Sequence, residues 1–289
     1  MILYYIKTWY DKIDQNVIRK EKDMAFLTVN FNTRTLSMHA TNVSIILPET
    51  NEVPEHGWKT LMLLHGAGGS NLEWVRYSSI ERYAEKRGIA VIMPEGGLSF
   101  YNDMTYGENY KTFITEDLRE FCAAHFNTSV RREDNVIGGL SMGGVGSMTI
   151  GLARPDLYKS LICLSASNFP VEVFGKQFKN PPWPNWIKQM RAIYGDTLPN
   201  FEGTEFDFYH LAKEALAAGK ELPSIFHSIG EQETEDSLNS AYAMRDFFMG
   251  FEGNPFNYKF VGYPGVHNWD FWDAHIEEAL DYAGFTPIM

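Results

Sequence analysis

Apolar and polar positions change their period along this chain, and the changes divide it into elements. Residues 26–31 and 36–47 alternate and are rich in β-branched side chains, the second stretch ending at Pro48. Period-two alternation predicts an antiparallel opening pair of strands. The run from Thr60 to His65 is instead continuously apolar after its first residue and stops at Gly66, as expected of a strand buried on both faces. Short apolar runs recur at 89–93, 135–140, 160–166, 224–229 and 258–261, while 71–86, 106–126, 142–153, 238–251 and 269–283 carry the helical period.

Strands alternate with helices from residue 60 onward, so the pattern predicts an α/β fold. The sheet should be about eight-stranded and mostly parallel, with helices on both faces. Residues 24–289 then form one domain, and 1–23 are a charged, weakly amphipathic extension expected to be poorly ordered. Residues 169–218 read as an irregular helical insert with the character of a lid. Neither a repeat nor a low-complexity tract interrupts the order.

Composition narrows the classes. Of 289 residues, 44% are hydrophobic and 21% charged, the balance of a globular protein. The net charge of −12 argues against nucleic acid or an anionic membrane surface as partner, since both select basic patches. A span of 18 apolar residues, the length that would cross a bilayer, does not occur. The N-terminus lacks a basic segment and a small-residue cleavage site, and the two cysteines, Cys122 and Cys163, fall in apolar patterns. A cytoplasmic protein with two reduced core thiols is expected, and association of identical copies is compatible with the sequence.

The candidate chemistry begins at Gly139-Leu140-Ser141-Met142-Gly143. This G-x-S-x-G pentapeptide sits where an apolar strand gives way to a helix, the setting of a nucleophile elbow. Ser141 at the carboxyl end of a parallel strand occupies the edge where open α/β sheets hold their active sites. A serine hydroxyl is a weak nucleophile without a base. Four histidines follow it: His210 and His275 in helical patterns, His227 inside a strand, and His267 in the loop between the last strand and the last helix. That loop position favours His267. The acid that would orient it should come from the loop after strand 224–229, Gly230-Glu231-Gln232-Glu233-Thr234-Glu235-Asp236, which offers four carboxylates. An oxyanion needs two backbone N–H groups. Met142, after the nucleophile, supplies one, and Ala67, in the glycine-rich loop His65-Gly66-Ala67-Gly68-Gly69, the other. That loop lacks the Lys-Ser/Thr of a P-loop and the spacing of a dinucleotide fingerprint, and His65 is expected to be structural.

His65-Gly66, Gly139-Leu140-Ser141-Met142-Gly143-Gly144, Gly230-Glu231-Gln232-Glu233 and Gly265-Val266-His267-Asn268-Trp269 together resemble the esterase D-like α/β hydrolases. That group includes tributyrin esterases, S-formylglutathione hydrolases and acetyl-xylan and feruloyl esterases. The likeness is greatest to the tributyrin esterase branch and runs from Met24 to about Ala283. It implies hydrolysis of short-chain carboxylic esters without metal or organic cofactor. It also implies Glu233 as the triad acid; Asp236, a shorter carboxylate three residues on that could reach the same histidine, is the runner-up. Where the family's loop reads Gly-x-x-Asp, this chain carries Glu233, and residues 1–23 precede the family's usual start. The cysteine-containing loop of the S-formylglutathione hydrolase branch is absent.

Aromatic residues make up 15% of the chain. Trp74, Tyr106, Phe169, Trp183, Trp186 and Trp269 are the candidates for lining a pocket, each with core packing as the alternative. The expected partner is a small ester. Feruloyl, acetyl-xylan or thioester substrates on the same triad are the alternatives within the class, and an acyltransferase or a non-catalytic scaffold lies outside it.

Overall fold

Eight strands form one sheet in the order β1-β2-β4-β3-β5-β6-β7-β8. They are β1 (Met24–Asn32), β2 (Ala40–Pro48), β3 (Thr60–Leu64), β4 (Ala90–Pro94), β5 (Asn135–Leu140), β6 (Ser160–Leu164), β7 (Ser224–Gly230) and β8 (Lys259–Tyr263). The computed structural model describes residues 24–49, 53–167, 185–197 and 202–288. The expected state of residues 1–23 concerns positions outside that set, as do Phe169 and Trp183.

β1 and β2 pair antiparallel from Met24 opposite Pro48 to Asn32 opposite Ala40, and β2 runs antiparallel to β4. Every pairing from β4 through β3 and β5 to β8 is parallel. β3, β4, β5 and β6 are buried at every residue, whereas edge strand β1 alternates half-buried and exposed positions along most of its length. The continuous and the alternating patterns in the sequence thus have one cause, coverage of two faces or of one.

Among the described residues the α-helices are α1 (Glu73–Tyr77), α2 (Ile80–Arg87), α3 (Tyr110–Thr112), α4 (Leu118–Phe126), α5 (Met142–Ala153), α6 (Trp186–Tyr194), α7 (Phe208–Ala217), α8 (Glu235–Met249) and α9 (Trp269–Tyr282). β3 shows how they cover the sheet. Leu61 and Leu63 point to a cluster with Trp74, Ile80, Ile276 and Leu280, under α1, α2 and α9. Met62 and Leu64 point to the opposite cluster with Leu118, Met148, Met190, Phe208 and Met244, under α4 to α8. Cys122 and Cys163 are free, buried thiols, and burial pushes the Cys122 pKa up to about 12, which leaves it protonated and inert.

Two elements depart from the pattern. Stretch 71–86 is two helices, broken where Ser78 is extended and Asp273 Oδ1 accepts the Ser79 N–H at 2.7 Å. Stretch 106–126 turns helical only at Tyr110 and widens into a π-helical turn at Phe113–Asp117, where Asp117 accepts hydrogen bonds from Thr33 and Thr35 in the β1–β2 connection. The described part of the 169–218 stretch is docked. Met190 and Ile193 are fully buried, and Ala192 and Ile193 accept backbone hydrogen bonds from Tyr106 and Thr105.

Candidate active site

Ser141 links β5 to α5 with φ 52° and ψ −117°, a left-handed conformation that side chains other than glycine rarely adopt. Its N–H donates to Leu164 O at 2.8 Å on β6, and its carbonyl accepts from Val145 N at 3.1 Å, starting the helix. The turn is tight because its neighbours have no side chains. A Cβ on Gly139 would lie 2.6 Å from the Gly143 carbonyl carbon, and one on Gly143 would lie 2.5 Å from Leu64 O. β5, the helix start and the end of β3 therefore approach at backbone distance, which brings the glycine-rich loop after β3 beside Ser141.

That loop is held from below by His65, which is 1% exposed. Gly96 N–H donates to His65 Nε2 at 3.0 Å, so the ring proton sits on Nδ1, where it faces Gly66 O at 2.8 Å. Tyr101 Oη donates to His65 O at 3.0 Å and Trp74 Nε1 to Leu64 O at 3.0 Å. Glu95 accepts N–H bonds from Asn71 and Gly97 alongside. Ala67, at the loop's crest, is exposed, while Met142 begins α5, where the first N–H groups have no partner within the helix.

His267 follows β8, and its Nδ1 lies 2.8 Å from Glu233 Oε2. The loops carrying the two are fastened together. Glu231 N–H donates to Tyr263 O at 2.8 Å, Gln232 N–H to Gly265 O at 2.9 Å, and Gly265 N–H to the Gln232 side chain. The Glu233 carboxylate is 1% exposed and also accepts from Gly230 N–H at 3.3 Å, whereas the His267 side chain is 42% exposed. Glu231, Glu235 and Asp236 are exposed, so one acid of the four is buried against the imidazole. The remaining histidines of the candidate set lie elsewhere. His227 is fully buried between Tyr258 Oη at 2.7 Å and Ala166 O at 2.9 Å, and burial lowers its pKa to about 4. His210 faces Glu214, and His275 stacks on Tyr263.

Two recesses meet at Ser141, Ala67 and His267. One, of about 320 Å³, is lined by apolar Phe100, Met142, Val145 and Trp186 and by polar Ser167, Thr234 and Ser237. The other, of about 360 Å³, is lined by Gly66, Gly68, Gly69, Glu73, Asn268, Trp269 and Trp272. Of the aromatic candidates, Trp186 and Trp269 line these recesses. Trp74 does not: it packs edge-on against Trp269 at 5.1 Å, with its Nε1–H donated to Leu64 O. Tyr106 does not either, being 64% exposed. Phe100 and Val145 were absent from the sequence candidates. Val145 had a signal, since it sits one helical turn past Ser141, but Phe100, in a left-handed turn with φ 51°, had none. Among the described residues, no three or more His, Cys, Asp or Glu side chains are grouped as a metal site would require. No helix among them is long and apolar enough to cross a membrane.

A family model described as putative esterase matches residues 36–283. An acetyl esterase of Caldicellulosiruptor saccharolyticus is 27% identical over 268 residues, covering 90% of this chain and 98% of its own. Among solved structures, a substrate-bound fluorophosphonate-binding serine hydrolase of Staphylococcus aureus is 31% identical with TM-score 0.78, covering 90% of this chain and 98% of that one. An S-formylglutathione hydrolase of the same organism is 30% identical with TM-score 0.74, covering 90% and 99%.

Proposed function

The chain belongs to the putative esterase family and is a carboxylic ester hydrolase, and from that premise we propose that Ser141, His267 and Glu233 are its catalytic triad. The observation that carries the assignment is the pairing of His267 Nδ1 with the buried Glu233 carboxylate, on a loop lining the same recesses as Ser141.

Ser141 Oγ attacks the ester carbonyl carbon while His267 Nε2 takes the hydroxyl proton. Glu233 holds Nδ1–H and stabilises the imidazolium. The oxyanion accepts from the N–H groups of Ala67 and Met142, each such donor being worth about 10²–10³ in rate. Collapse of the tetrahedral adduct breaks the C–O bond, and His267 returns the proton to the departing alcohol. Water, deprotonated by the same imidazole, then cleaves the acyl-enzyme.

The recess walled by Phe100, Val145 and Trp186 takes the acyl group. Its 320 Å³ equals about ten water volumes, more than an acetyl or butyryl chain fills, so the short-chain reading rests on the likeness to an acetyl esterase and not on volume. The acetyl esterase relative supports the short-chain reading. Hydrolysis of acetyl, butyryl, octanoyl and feruloyl esters and of a thioester, by wild type and Ser141→Ala, tests it. The short esters should be preferred, and the variant should lose activity by orders of magnitude. Near-full activity of Ser141→Ala overturns the triad, and a feruloyl preference overturns the acyl assignment. Cytoplasmic location remains part of this proposal, as does the absence of nucleic-acid, membrane and cofactor partners.

A further inference from the structure

The second recess at Ser141 is chemically unlike the first. Its wall holds the Glu73 side chain and the indole of Trp269. Glu73 opens α1 and is half-buried, its Cγ 3.0 Å from where a Cβ on Gly69 would stand. The oxyanion loop therefore lies against the stem of this side chain because position 69 has no side chain of its own. The Glu73 carboxylate has neither an ion pair nor a hydrogen-bond partner among the described residues.

The surrounding charges do not neutralise it. Arg76, one turn on, is exposed and lies over the Tyr77 ring at 5.2 Å. Asp270 adds a second exposed carboxylate at the start of α9, Asp273 is engaged by Ser79, and Glu95 by the N–H groups of Asn71 and Gly97. Trp269 is fixed by ring contacts with Trp74 at 5.1 Å, Tyr77 at 5.4 Å and Trp272 at 5.3 Å. A carboxylate beside the face or edge of a held indole is the pairing that attracts organic cations.

We propose that this recess is the leaving-group subsite and that Glu73 makes it selective by charge, taking esters of neutral or cationic alcohols and rejecting leaving groups that carry carboxylates. The inference rests on Ser141 as nucleophile, since the subsite is defined by its place beside that hydroxyl and next to the proposed acyl recess. A thiol bearing carboxylates meets Glu73 as it enters, whereas an amino or quaternary ammonium alcohol is drawn to Glu73 and Trp269. For charges about 7 Å apart the discrimination is about threefold in a water-like medium and about fiftyfold at an effective dielectric of about 20.

The test uses three aryl acetates whose leaving groups differ in charge: 4-(trimethylammonio)phenyl, 4-nitrophenyl and 4-carboxyphenyl acetate. kcat/KM is measured for wild type, Glu73→Gln, Glu73→Asp and Trp269→Leu at low salt and in 0.5 M NaCl, each rate divided by that for the nitrophenyl ester. Glu73→Gln should lower the cationic-to-anionic ratio by about tenfold or more, and Glu73→Asp, which keeps the charge, should restore most of it. Trp269→Leu should lower the cationic rate alone, and salt should compress the wild-type ratio, since it screens exposed charges. A ratio within about twofold of wild type in Glu73→Gln overturns the proposal, as does a ratio that moves equally in Glu73→Asp. A nitrophenyl rate that survives Ser141→Ala sinks the nucleophile while leaving the charge ratios readable, so the two failures are distinguishable.

Discussion

Glu233 Oε2 lies 2.8 Å from His267 Nδ1, while the other carboxylate oxygen accepts the Gly230 N–H at 3.3 Å. The carboxylate is thus fixed at both ends, and only its outward oxygen meets the imidazole. Glu233→Gln keeps the shape but presents an amide whose NH₂ can face Nδ1 and favour the wrong tautomer. A fall in kcat of about 10³–10⁴ is expected. Asp236→Asn, at an exposed position in the first turn of α8, should leave kcat near wild type. Steady-state kinetics on 4-nitrophenyl acetate compares the two, and a larger loss from Asp236→Asn would reassign the acid.

Gly143 is a second point where one methyl group decides the outcome. Its Cβ would stand 2.5 Å from Leu64 O and 2.7 Å from His65 O, both rigid backbone atoms at the root of the oxyanion loop. Gly143→Ala must therefore push β3 and the Ala67 loop away from Ser141. Overpacking of this kind costs about 1–3 kcal/mol. The same displacement moves the Ala67 N–H off its target, so kcat should fall by about 10² or more. Thermal unfolding together with kcat measures both effects. A variant that loses stability and keeps its rate would separate the elbow from the oxyanion loop.

These two positions also mark what the sequence could and could not express. The bounds of β5, Ser141 and α5 are legible because a doubly buried strand, two glycines and a small-residue helix are all local signals. The break at Ser78 is not, because the group that caps Ser79 is Asp273, on the last helix. In the acidic loop, local pattern offers four carboxylates, the family resemblance points to Glu233 with Asp236 next, and in the structure Glu233 is the buried one. Trp74 and Tyr106 look alike as aromatic residues near loops, yet one lies under the sheet edge and the other in solvent. Which way an aromatic ring turns depends on contacts made by distant segments, such as the Trp269 ring on Trp74.

His227 gives the protein a built-in sensitivity to acid. Ala166 O can only accept, so His227 Nε2 carries the proton and Nδ1 accepts from Tyr258 Oη. Burial holds the folded-state pKa at about 4 against an ordinary 6.5. The unfolded chain thus takes up a proton near pH 6.5, while the folded one resists until about 4. Stability present above 6.5 is lost as pH falls toward 4, by about 2–3 kcal/mol between pH 7.5 and 4.5. Urea unfolding at those two pH values measures the loss. His227→Gln, less stable at pH 7.5 because one of the two bonds goes, should show a pH dependence flatter by that amount. An equally steep dependence in the variant would place the acid sensitivity elsewhere.

If the recess beside Val145 takes the acyl group, as proposed, the size of this side chain should set how long a chain is accepted. It lies one turn beyond Ser141, its N–H donating to Ser141 O at 3.1 Å, and its side chain lines the proposed acyl recess together with Trp186 and Phe100. Each methylene buried in this recess is worth about 0.8 kcal/mol. Butyryl esters should therefore exceed acetyl esters in kcat/KM by about fifteenfold, two methylenes' worth, until the chain meets the far wall. Val145→Phe brings that wall forward by a ring and should cut butyryl turnover while sparing acetyl, reversing the order. Val145→Ala should shift the optimum to a longer chain. The measurement is kcat/KM across acetyl, propionyl, butyryl, hexanoyl and octanoyl esters of one alcohol, so that leaving-group effects cancel. If Val145→Phe lowers every rate by one factor, the side chain does not border the acyl group, and the chain must bind in the recess beside Trp269 instead.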